Sequence, residues 1–118
     1  MFRSIGPYVK VTTAGTPVRV TSGTSDPTAR RVCHTLFIQQ FASNTGKLYL
    51  MDRSSGSATT GLGVVATIPA PTLSGGVAIG LPWVAYTIPY APGGGNAADY
   101  YLDADNSGDQ ATVSIIVA

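Results

Sequence analysis

Apolar and polar residues alternate with a period of two through most of the chain, in short runs cut by Gly, Pro, Asn and Asp. That is the pattern of half-buried β-strands. Tyr8-Val9-Lys10-Val11-Thr12 alternates, and Ala14-Gly15-Thr16 reads as the turn into Val18-Arg19-Val20. The longest run is 32–41. Its alternation puts Cys33, Thr35, Phe37 and Gln39 on one face and His34, Leu36, Ile38 and Gln40 on the other. Apolar groups on both faces predict a central strand contacted from each side. Asn44-Thr45-Gly46 tolerates positive φ, so 32–41 and 48–51 are expected to pair as a hairpin across it.

Further strands are expected at 64–68, stopped by Pro69-Ala70-Pro71, and at 84–88. The last pair, 100–103 and 112–117, flanks an Asp-rich turn. The segment 72–82 is either a weak strand or an extended arm, because Gly75-Gly76 and Gly80 weaken it. Asn96-Ala97-Ala98-Asp99 is the one stretch that suits a helical turn. About eight short strands with regular turn signals predict an all-β single domain over 1–118, a β-sandwich or jelly roll. Residues 1–7 form an extended N-terminal arm in this reading, and 54–63 and 91–97 form flexible loops.

Composition narrows the functional classes. The 118 residues are 44% hydrophobic and only 11% charged, against about a quarter charged in an ordinary soluble domain. A charge-poor exterior suits a surface covered by neighbours. The net charge of +1 gives no electrostatic footprint for nucleic acid. Arg30-Arg31, the one adjacent basic pair, suits a solvated turn or an interface ion pair. The opening lacks the apolar run of a signal peptide, and no window is long enough to span a membrane. The expectation is a soluble protein made in the host cytoplasm.

Chemistry is sparse. Cys33 is the only cysteine, read as a buried small hydrophobe rather than a reactive thiol. His34 is the only histidine and has no evident partner for a nucleophilic triad. Neither Gly61-Leu62-Gly63 nor Gly93-Gly94-Gly95 opens a helix as a phosphate cradle would. No catalytic residue and no cofactor is expected. Asp103, Asp105, Ser107 and Asp109, with Gly108, mimic the start of a calcium loop. The twelfth position, however, is Ser114 in place of the bidentate Glu. The alternative is a hairpin loop whose Asp and Asn side chains cap their own backbone. Trp83, Tyr86 and Tyr90 could stack on sugar rings, anchor an interface or pack in the core.

The order of pieces carries a resemblance. Gly15-Thr16-Pro17-Val18-Arg19-Val20, then Ile38-Gln39-Gln40, then Asn44 through Leu50, and last Tyr101-Leu102-Asp103-Ala104-Asp105-Asn106-Ser107-Gly108-Asp109 resemble the β-sandwich cement or decoration proteins of tailed-bacteriophage capsids. The stretch 73–82 departs from that compact pattern as an insertion. The resemblance implies a virion structural protein on the capsid surface, a homotrimer bridging major capsid subunits. Similar sandwiches serve in necks, tails and fibres, so a fibre, neck or tail accessory with a carbohydrate- or receptor-binding face is the alternative. Partner contacts are expected from Met1, Phe2, Arg3 and Ile5 in the arm, from the loops 54–63 and 91–97, and from Trp83 and Tyr90.

Overall fold

A computed structural model of the chain describes residues 2–89 and 95–117, so Met1, 90–94 and Ala118 lie outside the described residues. The chain is all-β and every strand pair is antiparallel. One sheet is built on β13 (Gln110–Ile116), which pairs with β5 (Thr35–Gln40), and β5 pairs in turn with β10 (Trp83–Thr87). Along the other edge of β13 lie β1 (Phe2–Ser4) and β2 (Val9–Lys10), end to end. The second sheet runs β3 (Val18–Arg19), β12 (Tyr101–Ala104), β6 (Leu48–Met51), β7 (Val64–Ile68). A two-stranded piece joins β4 (Val32–Cys33) to β11 (Gly95–Asn96). A separate hairpin is formed by β8 (Thr72–Ser74) and β9 (Val77–Gly80). Among the described residues the short elements bring the strands to thirteen, more than the eight expected, and the arrangement is that of a β-sandwich.

The core is filled by the inward set of each sheet. Leu36, Ile38, Val113 and Val9 face Leu48, Leu50, Leu102 and Ile68, all essentially without solvent contact. Each such side chain contributes about 1.5–3 kcal/mol relative to exposure. In β13 the alternation is clean: Ala111, Val113 and Ile115 are buried, while Thr112 is exposed. In β6 the pattern slips at a bulge between Leu50 and Met51, so both are buried. Met51 then lies beneath Gly56, where a Cβ would stand 2.5 Å from its sulfur.

Four expectations need correction. Residues 32–41 do not hold one alternation. The inward residues Cys33 and Leu36 are three apart, so the strand breaks at exposed His34 and Cys33 joins Leu36 and Ile38 on the core side. Next, β5 and β6 are not a hairpin. They belong to opposite sheets, and the loop 41–47 carries the chain across the sandwich. The same is true of β2 and β3 and of β12 and β13. The physical reason is burial: each strand in these pairs has an apolar face, and crossing lets both faces meet in one core. Third, 72–82 is neither a lone strand nor an arm. Gly75 and Gly76, at φ 58° and 80°, make the two-residue turn that matches strand twist, and the segment closes into β8–β9. Fourth, the described part of 1–7 is not a free arm. Phe2–Ser4 is an edge strand on β13, the Ile5 N–H donates to the Val113 carbonyl at 2.8 Å, and the Ile5 side chain is buried. Asn96 does cap a 3-10 turn, Ala97–Asp99, through the bond its side chain accepts from the Ala98 N–H.

Candidate functional site

Two features of the surface stand out: a locked cluster of loops at one end of the sandwich, and an apolar ribbon that leaves it. The three crossing loops 11–17, 41–47 and 105–109 meet, and the Asp-rich turn ties them together. Asp109 accepts from the Thr45 and Gly46 N–H groups. Asp105 accepts from the Lys47 N–H at 3.2 Å and from the Tyr49 hydroxyl at 2.6 Å. Asp103, buried, accepts from the Gly15 N–H at 2.9 Å, and Ser107 Oγ accepts from the Ala14 N–H at 2.9 Å. Gly46 is held close to Asp105 and Asn106, where a Cβ would stand 2.7 Å from the Asn106 amide nitrogen.

The four calcium candidates are thus spent on donors outside the turn: Asp103 and Ser107 on the loop 11–17, Asp109 on the loop 41–47, and Asp105 on that same loop and on the Tyr49 hydroxyl of β6. Among the described residues, no three His, Cys, Asp or Glu side chains gather in a geometry that could hold a metal. The capping alternative describes Asp103, Asp105, Ser107 and Asp109, with one difference: they cap distant loops instead of their own turn.

Beneath this cluster sits a buried polar network. Asn44 donates to the Gln110 carbonyl and to the Gln40 side-chain oxygen, and its own oxygen accepts from the Gln110 N–H at 2.8 Å. Gln40 donates to the Gly46 and Pro69 carbonyls, each at 3.0 Å. No buried side-chain polar atom among the described residues lacks a partner. Such satisfaction is what makes a polar network stabilising instead of costly.

The cluster shifts the ionisation of one side chain. The hydrogen bond to Asp105 pushes the Tyr49 phenol up to about 12, and burial with the neighbouring Tyr86 pushes Tyr100 to about 12 as well. Both folded values lie above the unfolded value near 10. Their stabilisation is therefore complete below pH 10 and lost as pH rises from about 10 towards 12. Tyrosine absorbance titration of the folded protein should show two late-ionising groups, and Tyr49→Phe should remove one. A Tyr49→Phe variant that keeps the same number of late-ionising phenols in the intact fold would contradict the Tyr49–Asp105 bond.

The ribbon is the exposed feature. From Ser54 to Ala98 the chain holds no Asp, Glu, Lys, Arg or His. Within that stretch Val77, Ile79, Leu81 and Trp83, on the segment that runs from β9 into β10, are exposed by 66%, 66%, 39% and 61%. Leu73, 57% exposed on β8, pairs with Ala78 and so lies on the face of the hairpin opposite to Val77. No other strand among the described residues pairs with β8 or β9. Trp83 leans on Phe37, ring centroids 5.9 Å apart, over an open groove edged by Gln39, Thr112 and Ser114. Tyr86 points the other way and packs at 5.7 Å on Tyr100, so Trp83 and Tyr86 form no shared platform.

The expected contact residues divide accordingly. Trp83 is exposed. Ile5 is in the core and is not available to a partner. Arg3 is exposed and, with Arg30 and Arg31, lines a cleft of about 450 Å³. Arg31 spends Nη1 on the Asp26 and Ala29 carbonyls, which is the turn use expected of it. Phe2 enters as backbone of β1, and Met1 and Tyr90 lie outside the described residues. The loop 54–63 carries internal backbone bonds, including Ser57 N–H to the Leu62 carbonyl at 2.9 Å, and presents Leu62 at 47% exposure. Of the loop 91–97, the described part is β11 and the start of the 3-10 turn, with Ala97 buried.

His34 is exposed, and Cys33 is fully buried and free, with its thiol pushed up by burial. A desolvated thiol is a poor nucleophile, because the thiolate is the reactive form. Sequence reading missed the ribbon, although its signal was present: the odd-numbered apolar residues from 77 to 83 and the long absence of charge. Weakness assigned to the glycines hid both. No helix among the described residues is long and apolar enough to cross a membrane. No protein family, curated protein or solved structure matches the chain.

Proposed function

We propose that the protein is a structural component of a tailed-bacteriophage virion, binding the capsid surface as a cement or decoration protein. The observation that carries this reading is the charge-free apolar ribbon standing on a rigid sandwich. An exposed apolar surface of that extent marks an interaction site. Rigid loops and a satisfied interior suit a part whose task is to hold neighbours, since no ordering entropy is lost when it docks. A protein that binds the assembled shell and not the separate subunits stabilises the shell by linkage. Many copies make modest single-site affinity sufficient.

The test is co-sedimentation of the purified protein with shells assembled from the major capsid protein of the same phage. Saturable binding, with a rise in shell melting temperature, is the expected result. Absence of binding to shells and to capsid subunits would sink the reading.

A second reading rests on the exposed Trp83–Phe37 pair beside Gln39, Thr112 and Ser114, which offers an aromatic face next to hydrogen-bonding groups. It makes the protein a fibre, neck or tail accessory that takes carbohydrate. Glycan-array binding lost in Trp83→Ala would favour it over the capsid role.

A further inference from the structure

We infer that the cleft lined by Arg3, Arg30 and Arg31 is a docking site for an acidic segment of another protein, one in which carboxylate side chains stand beside apolar ones. The inference deepens the assembly reading and rests on it only in taking this protein to work by holding a neighbour.

Charge is scarce in this chain, and its cations are gathered. Of the seven Lys and Arg residues, three line this one cleft. Arg3 comes from β1, and Arg30 and Arg31 from the segment that leads into β4, so parts of the chain distant in sequence bring them together. The other four cations are engaged or remote. Arg19 donates to the Ala98 carbonyl and lies 5.2 Å from the Tyr101 ring centroid, and Arg53 pairs with Asp52 at 2.8 Å. Lys10 and Lys47 belong to the end where the loops cross: Lys10 pairs with Gln110, and the Lys47 N–H donates to Asp105. The cleft lies instead at Ile115 and Val117, about 17 Å further along β13 by the rise of an antiparallel strand.

These arginines lack a counter-charge in the fold. No Asp lines the cleft, and the chain has no Glu. Among the described residues, Arg3 and Arg30 form no hydrogen bond or ion pair. Asp26, the acid nearest in sequence, accepts from the Thr28 hydroxyl at 3.3 Å through its carboxylate. Arg31 is anchored: Nη1 donates to the Asp26 and Ala29 carbonyls at 2.9 and 3.1 Å. Its other edge, Nε and Nη2, is left for a ligand. A guanidinium held in place with one edge open is prepared for bidentate capture of a carboxylate. Like charges gathered without a counter-ion repel, and a carboxylate set among them relieves that repulsion.

The same surroundings choose the occupant. Nucleic acid requires a track of cations along its backbone, and the four cations outside the cleft make none. A single inorganic anion leaves most of the 450 Å³ unused, together with Val32 and Val117, half-buried apolar side chains beside the arginines. A second copy of this chain brings no open acidic segment. Asp103, Asp105 and Asp109 are spent on the crossing loops, Asp52 is paired, and Asp26 and Asp99 stand apart in the sequence. A segment of a different protein that mixes carboxylates with apolar groups meets both the arginines and the valines. Charge complementarity of this kind sets specificity and speeds encounter.

Fluorescence anisotropy on the full chain tests this, with a labelled peptide of alternating Asp and Val as the probe and its Asn–Val counterpart as the control. R3E/R30E is the decisive variant. Both positions are exposed and make no bond in the fold, so the sandwich is kept, which circular dichroism and the melting profile check. K10E/K47E makes the same change in net charge at the far end. The expected result is saturable binding of the Asp–Val peptide, weakened by salt, and no binding of the Asn–Val peptide. R3E/R30E should weaken binding by at least about 10-fold, through the loss of charge-assisted hydrogen bonds. K10E/K47E should change it by less than about 2-fold, because charges beyond a Debye length are screened. An Asp–Val peptide that does not bind overturns the inference. So does one that both double variants weaken equally, since the attraction then belongs to the whole molecule. Tighter binding of oligothymidylate or inorganic phosphate, lost in R3E/R30E, also overturns it and makes the cleft a phosphate site.

These outcomes separate from those of shell binding. A protein that sediments with shells but ignores the peptide loses the acidic-segment site and keeps the capsid reading. One that binds the peptide through the arginines but ignores shells does the reverse.

Discussion

Asn44→Ala should lower the stability of the protein by about 3 kcal/mol, because it leaves buried groups without partners. The Asn44 side chain, 4% exposed, receives the Gln110 N–H and donates to the Gln110 carbonyl and the Gln40 side chain. Alanine supplies none of these bonds. Each buried polar group stranded in this way costs about 1–3 kcal/mol. Gln110 is half-buried and regains part of its hydration, which keeps the total below the sum. Against a typical stability of about 5–15 kcal/mol, that is a large fraction, and the melting temperature should drop by about 10 °C or more. Asn106→Ala is the informative comparison. Asn106 donates to the Thr45 hydroxyl in the same loop cluster, but at an exposed position, so its loss should cost within about 0.5 kcal/mol. Urea unfolding of both variants decides the matter. Equal losses would mean that the buried network is not what holds the crossing loops.

Removal of residues 1–7 should destabilise the domain severely, with a melting temperature lower by about 10 °C or more. The segment contributes β1 on the edge of β13 and the buried side chain of Ile5. Ile5→Ala alone should cost about 2–4 kcal/mol, the range for truncating a buried isoleucine. Deleting the segment also bares the β13 edge, so the truncated protein should aggregate more readily. Thermal melts of Ile5→Ala and of the truncated chain check this. A truncated chain that melts with the full-length protein would restore the picture of a detachable arm. Gly6-Pro7 separates this segment from the alternating run that starts at Tyr8. In the fold it is a kink between two strands on one edge. Gly6, at φ 67°, lies where a Cβ would meet the Gly23 carbonyl oxygen at 2.7 Å.

Much of the candidate site could be read from the sequence residue by residue, but not as an assembly. The Asp-rich turn was visible, and so was the choice between metal ligand and backbone cap. What it caps was not visible, since Gly15, Thr45, Gly46 and Lys47 are far from Asp103, Asp105 and Asp109 along the chain. Trp83 was visible as an aromatic. Its exposure, and the opposite direction of Tyr86, follow from β10 being an edge strand, which depends on strand order.

By itself the sequence determined the fold class, because period-two alternation between Gly, Pro and Asn breaks suits only short strands. It also determined the 3-10 turn at Asn96, a local cap. Cys33, read from the sequence as a small buried group, is fully buried. Only the tertiary structure decided which strands pair. A loop such as 41–47 serves equally to fold a strand back beside its neighbour or to carry it across to the facing sheet, since both need the same turn residues. The choice rests on whether distant groups can satisfy the loop's backbone: Asp109 for Gly46, Asp105 for Lys47 and Asn44 for Gln110. Those bonds are made only when all three crossing loops are in place, so no local stretch of sequence encodes the decision.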